Sequence, residues 1–129
     1  MKPLSLVKYR STQQLKVDYE RGHRPRLLFT DHANHRLLDM KRQGLSTDEV
    51  ADAICAPEAI WWSNKYQSML LHGRRVSVSV VVGGDGFPVI VTFLWRTRED
   101  WVESYRNGPA AGRERRDDLT HLPSRDEIA

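Results

Sequence analysis

Val76-Ser77-Val78-Ser79-Val80-Val81-Val82, Gly83-Gly84-Asp85-Gly86, Phe87-Pro88-Val89-Ile90-Val91-Thr92-Phe93-Leu94-Trp95-Arg96: here β-branched and aromatic side chains stand on both sides of a glycine-rich turn. Two strands joined by so short a link must be antiparallel neighbours. In the first, Val76, Val78, Val80 and Val82 alternate with Ser77 and Ser79, giving a core face and a wetter one. In the second, Val89, Val91, Phe93 and Trp95 oppose Ile90, Thr92, Leu94 and Arg96, which predicts a central strand covered on both faces. Gly83 to Gly86 lies between strands and opens no helix, so it is a hairpin turn rather than a phosphate cradle.

Two more strands precede this hairpin, Ala59 to Trp62 and Tyr66 to His72, parted by Ser63-Asn64-Lys65, with Gly73-Arg74 leading to the strand that starts at Arg75. Upstream the period becomes helical. Arg26 to Phe29 reads as a short strand or lead-in, and Thr30 caps a helix from Asp31 to Arg42 that ends at Gly44. Ala33, Leu37 and Met40 form its apolar arc, while His32, Arg36, Asp39 and Gln43 share an adjacent polar arc. Ser46 with Glu49 makes a capping box for a second helix, whose buried stripe is Val50, Ala53 and Ile54 and whose stop is Pro57. The expected fold class is α+β: two N-terminal helices packed on a four-stranded antiparallel β-meander. A last turn or helix from Arg98 to Tyr105 is expected to lay Trp101 and Val102 on the sheet.

That domain, residues 26–106, is flanked by a basic N-terminal arm (1–25) and a charged C-terminal tail (107–129) expected to be disordered. Within the arm, Ser11 and Gln14 have capping-box spacing and Gly22 is a helix stop, but the segment is expected to lie outside the core. The chain of 129 residues carries a net charge of +3, with 40% hydrophobic and 29% charged residues, the balance of one globular domain. Residues 1–28 hold seven Lys/Arg against two acids, and residues 29–62 three against six, so the basic excess is N-terminal. A pI near 9.2 is weak support for a polyanion partner. The apolar runs are too short for a bilayer and Met1 to Arg10 lacks a secretory signal, so no membrane association is expected and the expected location is the cytoplasm. Cys55, the lone cysteine, reads as a small buried hydrophobe.

No metal or other cofactor is expected. His32 and His35 are three apart rather than four, and no cysteine or acidic cluster completes a ligand set. No Ser-His-Asp or Cys-His system is visible either. What remains suits phosphodiester transfer in RNA, which needs a base for the 2′-hydroxyl, an acid for the leaving 5′ oxygen, and cations around the phosphorane. His32 and Arg36, one helical turn apart, point the same way; Lys65, His72, Arg74, Arg75, Thr92 and Arg96 lie on strands or turns within reach of such a site. The plainer alternatives are a solvated or capping His32, an Arg36 paired with Asp31 or Asp39, and solvated Lys65 and Arg74. Trp61, Trp62 and Trp95 are either core residues or platforms for bases.

Phe29-Thr30-Asp31-His32-Ala33-Asn34-His35-Arg36, followed by Arg42-Gln43-Gly44-Leu45-Ser46 and Asp48-Glu49-Val50, resembles the opening of the domain of unknown function 4258 family: Ser-x-His-Ala-x-x-Arg, then Arg-Gly-Ile-Ser. Val76 to Val82 and Val89 to Leu94 resemble its closing strands, over residues 27–96 in all. Thr30 stands where Ser is usual, and Gln43, expected to be exposed, interrupts the Arg-Gly pair. The family is grouped with RelE-like and BrnT-like toxins, metal-independent ribonucleases of the barnase, EndoU, colicin and RelE type. The resemblance implies a RelE/BrnT-like helix-plus-antiparallel-sheet fold, an RNA substrate, a possible antitoxin partner, and His32, Arg36 and Thr92 as catalytic positions. Lys65, His72, Arg74, Arg75 and Arg96 are the expected substrate-binding residues. The resulting expectation is a toxin-like endoribonuclease that cleaves RNA by acid–base transesterification. The alternatives are a non-catalytic nucleic-acid- or protein-binding module and a protein-directed adaptor with exposed tryptophans.

Overall fold

The computed structural model describes residues 5–107 and 122–128. Its strands are β1 (Leu28–Phe29), β2 (Ala59–Ser63), β3 (Ser68–His72), β4 (Val76–Val82) and β5 (Pro88–Trp95). The described helices are α1 (Thr12–Glu20), α2 (Asp31–Arg42), α3 (Thr47–Cys55), α4 (Arg98–Asn107) and α5 (Arg125–Ile128). The class is α+β, and β2 to β5 form an antiparallel meander, but the sheet is five-stranded and mixed, in the order β1-β5-β4-β3-β2. Leu28 and Phe29 pair in parallel with Val89 and Ile90, which corrects the expectation of four strands. Chain passing from the arm into α2 can bond β5 for only these two residues before Thr30 turns it into helix, and a segment that short leaves no periodic signal.

The helices start where their caps are. Thr30 Oγ1 accepts the Ala33 N–H at 3.0 Å, and Ser46 with Glu49 closes a reciprocal capping box at the head of α3. Gly44, at φ +102°, takes the left-handed conformation just past the end of α2. Ala33 and Met40 of α2 and Val50 and Ala53 of α3 then meet one sheet face, built by Met69, Leu71, Val76, Val78, Val80, Ile90, Phe93 and Trp95.

Two segments expected outside the core are part of it. In α1, Leu15 is fully buried and Tyr19 nearly so; the Tyr19 hydroxyl donates to the Ile54 carbonyl at 3.2 Å. The surrounding text is polar and basic, yet two large apolar groups at i and i+4 suffice to dock one helical turn. At the other end, Leu122 packs against the core and Arg125 bonds Asp100 at 3.0 Å, so residues 122–128 are not a free tail. The run Arg113 to Asp118 lies outside the described residues. On α4, Trp101 is part-buried but Val102 is half exposed, and Cys55 is exposed rather than buried.

β5 departs from simple alternation. Ser79 pairs with Thr92 while Val80 pairs with Ile90, so Val91 is an extra residue, a β-bulge. Ile90 therefore faces the core with Phe93 and Trp95, and Thr92 goes with Leu94 to the second face. The expected grouping of Ile90 with Thr92 fails at this one residue.

Docking of α1 into the core has a direct test. Leu15→Ala should lower unfolding stability by about 2–5 kcal/mol in urea titration, the cost of a core truncation. A residue on a free arm would change it by under about 0.5 kcal/mol.

Candidate functional site

β1 covers only the first part of the outer edge of β5, leaving Val91, Thr92 and Phe93 without a strand neighbour on that side. Unpaired edge groups must find other partners when they are shielded from water. The cap residue Thr30 and Arg36 of α2 supply them for two carbonyls, and His32 between them meets a side-chain hydroxyl. Thr30 Oγ1 lies 3.3 Å from the Val91 carbonyl, His32 Nε2 lies 3.2 Å from Thr92 Oγ1, and Arg36 Nε donates to the Phe93 carbonyl at 3.0 Å. Three positions of one helix edge thus meet three successive residues of one strand.

The three expected catalytic residues are brought together, but in unequal states. His32 is exposed, its ring accessible beside the half-buried Thr92 hydroxyl. Arg36 is only 4% exposed and engages backbone, so its guanidinium is a structural clamp rather than an open phosphate ligand. The polar arc it belongs to is turned inward: Asp39 is 7% exposed and Gln43 fully buried, against the expectation that Gln43 is exposed. Helical periodicity cannot announce a buried polar arc, because polar residues at that spacing ordinarily mark a solvated face.

The expected substrate-binding residues do not gather around His32. Arg74, Arg75 and Arg96 line a cleft of about 520 Å³ at the end of the sheet, with Glu58, Asp100, Glu103 and Arg125. Arg75 grips Glu49 through Nε at 2.6 Å and Nη2 at 2.5 Å, and also reaches the Gly44 carbonyl at 3.0 Å. Its hydrogen bonds hold the Glu49 carboxyl below the usual range. Arg96 Nη1 bonds Glu58 and the Gly73 carbonyl, each at 2.7 Å. The cleft is therefore mixed in sign, and the strand arginines expected beside Thr92 are committed elsewhere. Arg125, Asp100 and Glu103 were not singled out from the sequence, since only the packing of α5 on α4 brings them there.

Lys65 sits in the β2–β3 turn with Nζ 5.1 Å from the Tyr66 ring centroid. His72 is buried on the second sheet face, its Nδ1 2.7 Å from Ser77 Oγ and its ring set edge-on to Trp61 with centroids 4.9 Å apart. Burial, helped by the nearby Arg96 charge, pulls its pKa down to about 4. His72 is thus enclosed among Ser77 and Trp61 and is not gathered beside His32. Of the tryptophans, Trp95 is core, as one reading had it, and Trp61 is 49% exposed. Among the described residues no three His, Cys, Asp or Glu side chains are placed to hold a metal ion. No family model, no curated protein and no solved structure matches the chain.

Two outcomes follow from this geometry. Arg36→Ala should cost about 1–3 kcal/mol of stability through the stranded Phe93 carbonyl, whereas His32→Ala should change it by under about 0.5 kcal/mol, both read by urea unfolding. For His72, an unfolded imidazole takes its proton near pH 6.5 and the folded one near pH 4. Between those values the unfolded state binds the extra proton, so its contribution falls as pH drops from about 6.5 to about 4, by at most about 3 kcal/mol, then levels off. Unfolding curves across that window should show the slope, and His72→Gln should flatten it.

Proposed function

We propose that the chain is a toxin-like endoribonuclease that cleaves RNA by internal transesterification, with His32 as the proton-transfer group. The observation that carries the reading is the accessible His32 imidazole held 3.2 Å from the Thr92 hydroxyl at the head of α2. The motif resemblance in residues 29–50 and 76–94 supports the same assignment and implies chemistry without a metal.

In this reading the His32 imidazole removes the proton of a 2′-hydroxyl as its oxygen attacks the adjacent phosphorus. The P–O5′ bond breaks, the departing 5′ oxygen takes its proton from solvent, and a 2′,3′-cyclic phosphate remains. Thr92 orients the imidazole and offers a hydroxyl to the phosphate. The N-terminal end of α2, where His32 stands, adds the positive end of the helix dipole where negative charge develops. Arg36 acts as a positioning residue: by fastening α2 to the Phe93 carbonyl it fixes the separation of His32 and Thr92. An antitoxin is the partner class that goes with this reading.

A non-catalytic nucleic-acid-binding module is the second reading. The commitment of Arg36, Arg75 and Arg96 to internal partners favours it, because it leaves no strand arginine free for the phosphorane.

Pure protein incubated with RNA in EDTA should release products ending in 2′,3′-cyclic phosphate. His32→Ala should slow that at least about 100-fold and Thr92→Val by less. Absence of cleavage, or cleavage indifferent to His32→Ala, removes the enzyme reading; salt-dependent binding without turnover supports the second.

A further inference from the structure

The sheet has two edges, and the chain closes only one of them. Beyond β1, α2 covers the outer edge of β5; on the far side β2 has no strand neighbour but β3 among the described residues. Natural sheets blunt a bare edge with lysine, proline or a bulge. β2 has none of these: Ala59-Ile60-Trp61-Trp62-Ser63 is uncharged, pairs with β3 in unbroken register and holds two tryptophans. Trp61 is 49% exposed, Trp62 is half-buried, and Tyr66 in the adjoining turn is 61% exposed. Aromatic side chains on an uncharged patch are the residues that anchor protein interfaces.

The strand is complementary to itself. Laid antiparallel about a two-fold axis at Trp61, it sets Trp61 against its own copy, Ile60 against Trp62 and Ala59 against Ser63, apolar on apolar and small on small. Its flanks have opposite charge, Glu58 before it and Lys65 after it. The antiparallel arrangement brings the acidic end of each strand to the basic end of the other, whereas a parallel one would join like ends. Growth stops at two copies, because the opposite edge of the sheet ends in a two-residue strand and α2.

We infer that this edge is a homodimer interface, in which β2 of two copies pair antiparallel and two five-stranded sheets run on as one. The inference does not depend on the ribonuclease reading, since Thr92 on β5 lies three strand steps from the seam and His32 stands beside it. The full chain, sedimented at micromolar concentration, should run at twice its 14.9 kDa. Trp61→Lys, which sets two ammonium groups face to face across the axis, should raise the dimer Kd roughly tenfold or more. Because that change also removes the ring packed on His72, Lys65→Glu in the exposed turn gives an independent reading. It should weaken the dimer several-fold, while Lys41→Glu, an equal charge change on the exposed side of α2, should leave it intact. Register is read by Ala59→Cys/Ser63→Cys in a Cys55→Ser background. Within one chain those sites stand at opposite ends of an extended strand, too far apart to bond, so oxidation should link them only between copies, and Ala59→Cys alone should not link. A monomer at every concentration, a dimer indifferent to either Trp61→Lys or Lys65→Glu, or a dimer that the paired cysteines do not link overturns the interface, whatever the cleavage assay shows.

Discussion

The outer edge of β5 is the constraint around which this fold is arranged. β1 is two residues long, so it protects β5 only as far as Ile90, and beyond it the strand would offer bare carbonyls from a part-buried position. α2 closes that gap with side chains instead of backbone: Thr30, His32 and Arg36 reach Val91, Thr92 and Phe93 in turn. An edge covered by a helix cannot pair with another strand, and a carbonyl bonded to a buried guanidinium is not left unsatisfied. The same bonds fix which residue of α2 stands over which residue of β5. His32 meets Thr92 because Thr30 and Arg36 on either side are anchored.

That double use explains why the polar arc of α2 contains residues of such different exposure. Arg36 and His32 are neighbours on the helix, yet one is enclosed and the other open, since the arc crosses from beneath the edge of the sheet to its rim. It also bears on electrostatics. Arg75, just before β4, and Arg96, just after β5, answer Glu49 and Glu58, linking α3 and the approach to β2 to the end of the sheet. These pairs spend charge on architecture, and the second face carries hydroxyls, a histidine and an aromatic ring rather than a basic patch.

Much of this was legible in the residues. Thr30, Ser46 with Glu49, Ser11 and the glycines at 22 and 44 marked helix ends that the structure keeps, because caps are local chemistry. The period-two text from 59 onward located β2 to β5 within a residue or two. What the residues do not announce depends on tertiary packing. Leu15 and Tyr19 look isolated in basic sequence until the sheet arrives beneath them; Gln43 and Asp39 look solvated until α2 is laid on an edge. Of the site, the His32/Arg36 face followed from helical spacing, whereas its juxtaposition with Thr92 came from the motif resemblance and from no spacing rule. The scatter of Arg75, Arg96, His72 and Lys65 was invisible because strand order and register decide it.

The bulge at Val91 is where fold and site are joined. Strict alternation puts Ile90, Thr92 and Leu94 on one face, so an unbulged β5 in the register of Val80 with Ile90 would send Thr92 toward the core and Phe93 away from it. One extra residue reverses the phase: Ile90 and Phe93 are both fully buried, and Thr92 emerges beside Ser79. Bulges recur where a strand must re-aim a side chain. Here the re-aimed side chain is the hydroxyl that His32 meets, and the residue left over, Val91, presents its carbonyl to Thr30 at the cap of the helix that carries His32. Cap, bulge and hydroxyl are therefore one local device. Its position in the strand, rather than the content of apolar and polar residues, determines that His32 opens onto the second face of the sheet.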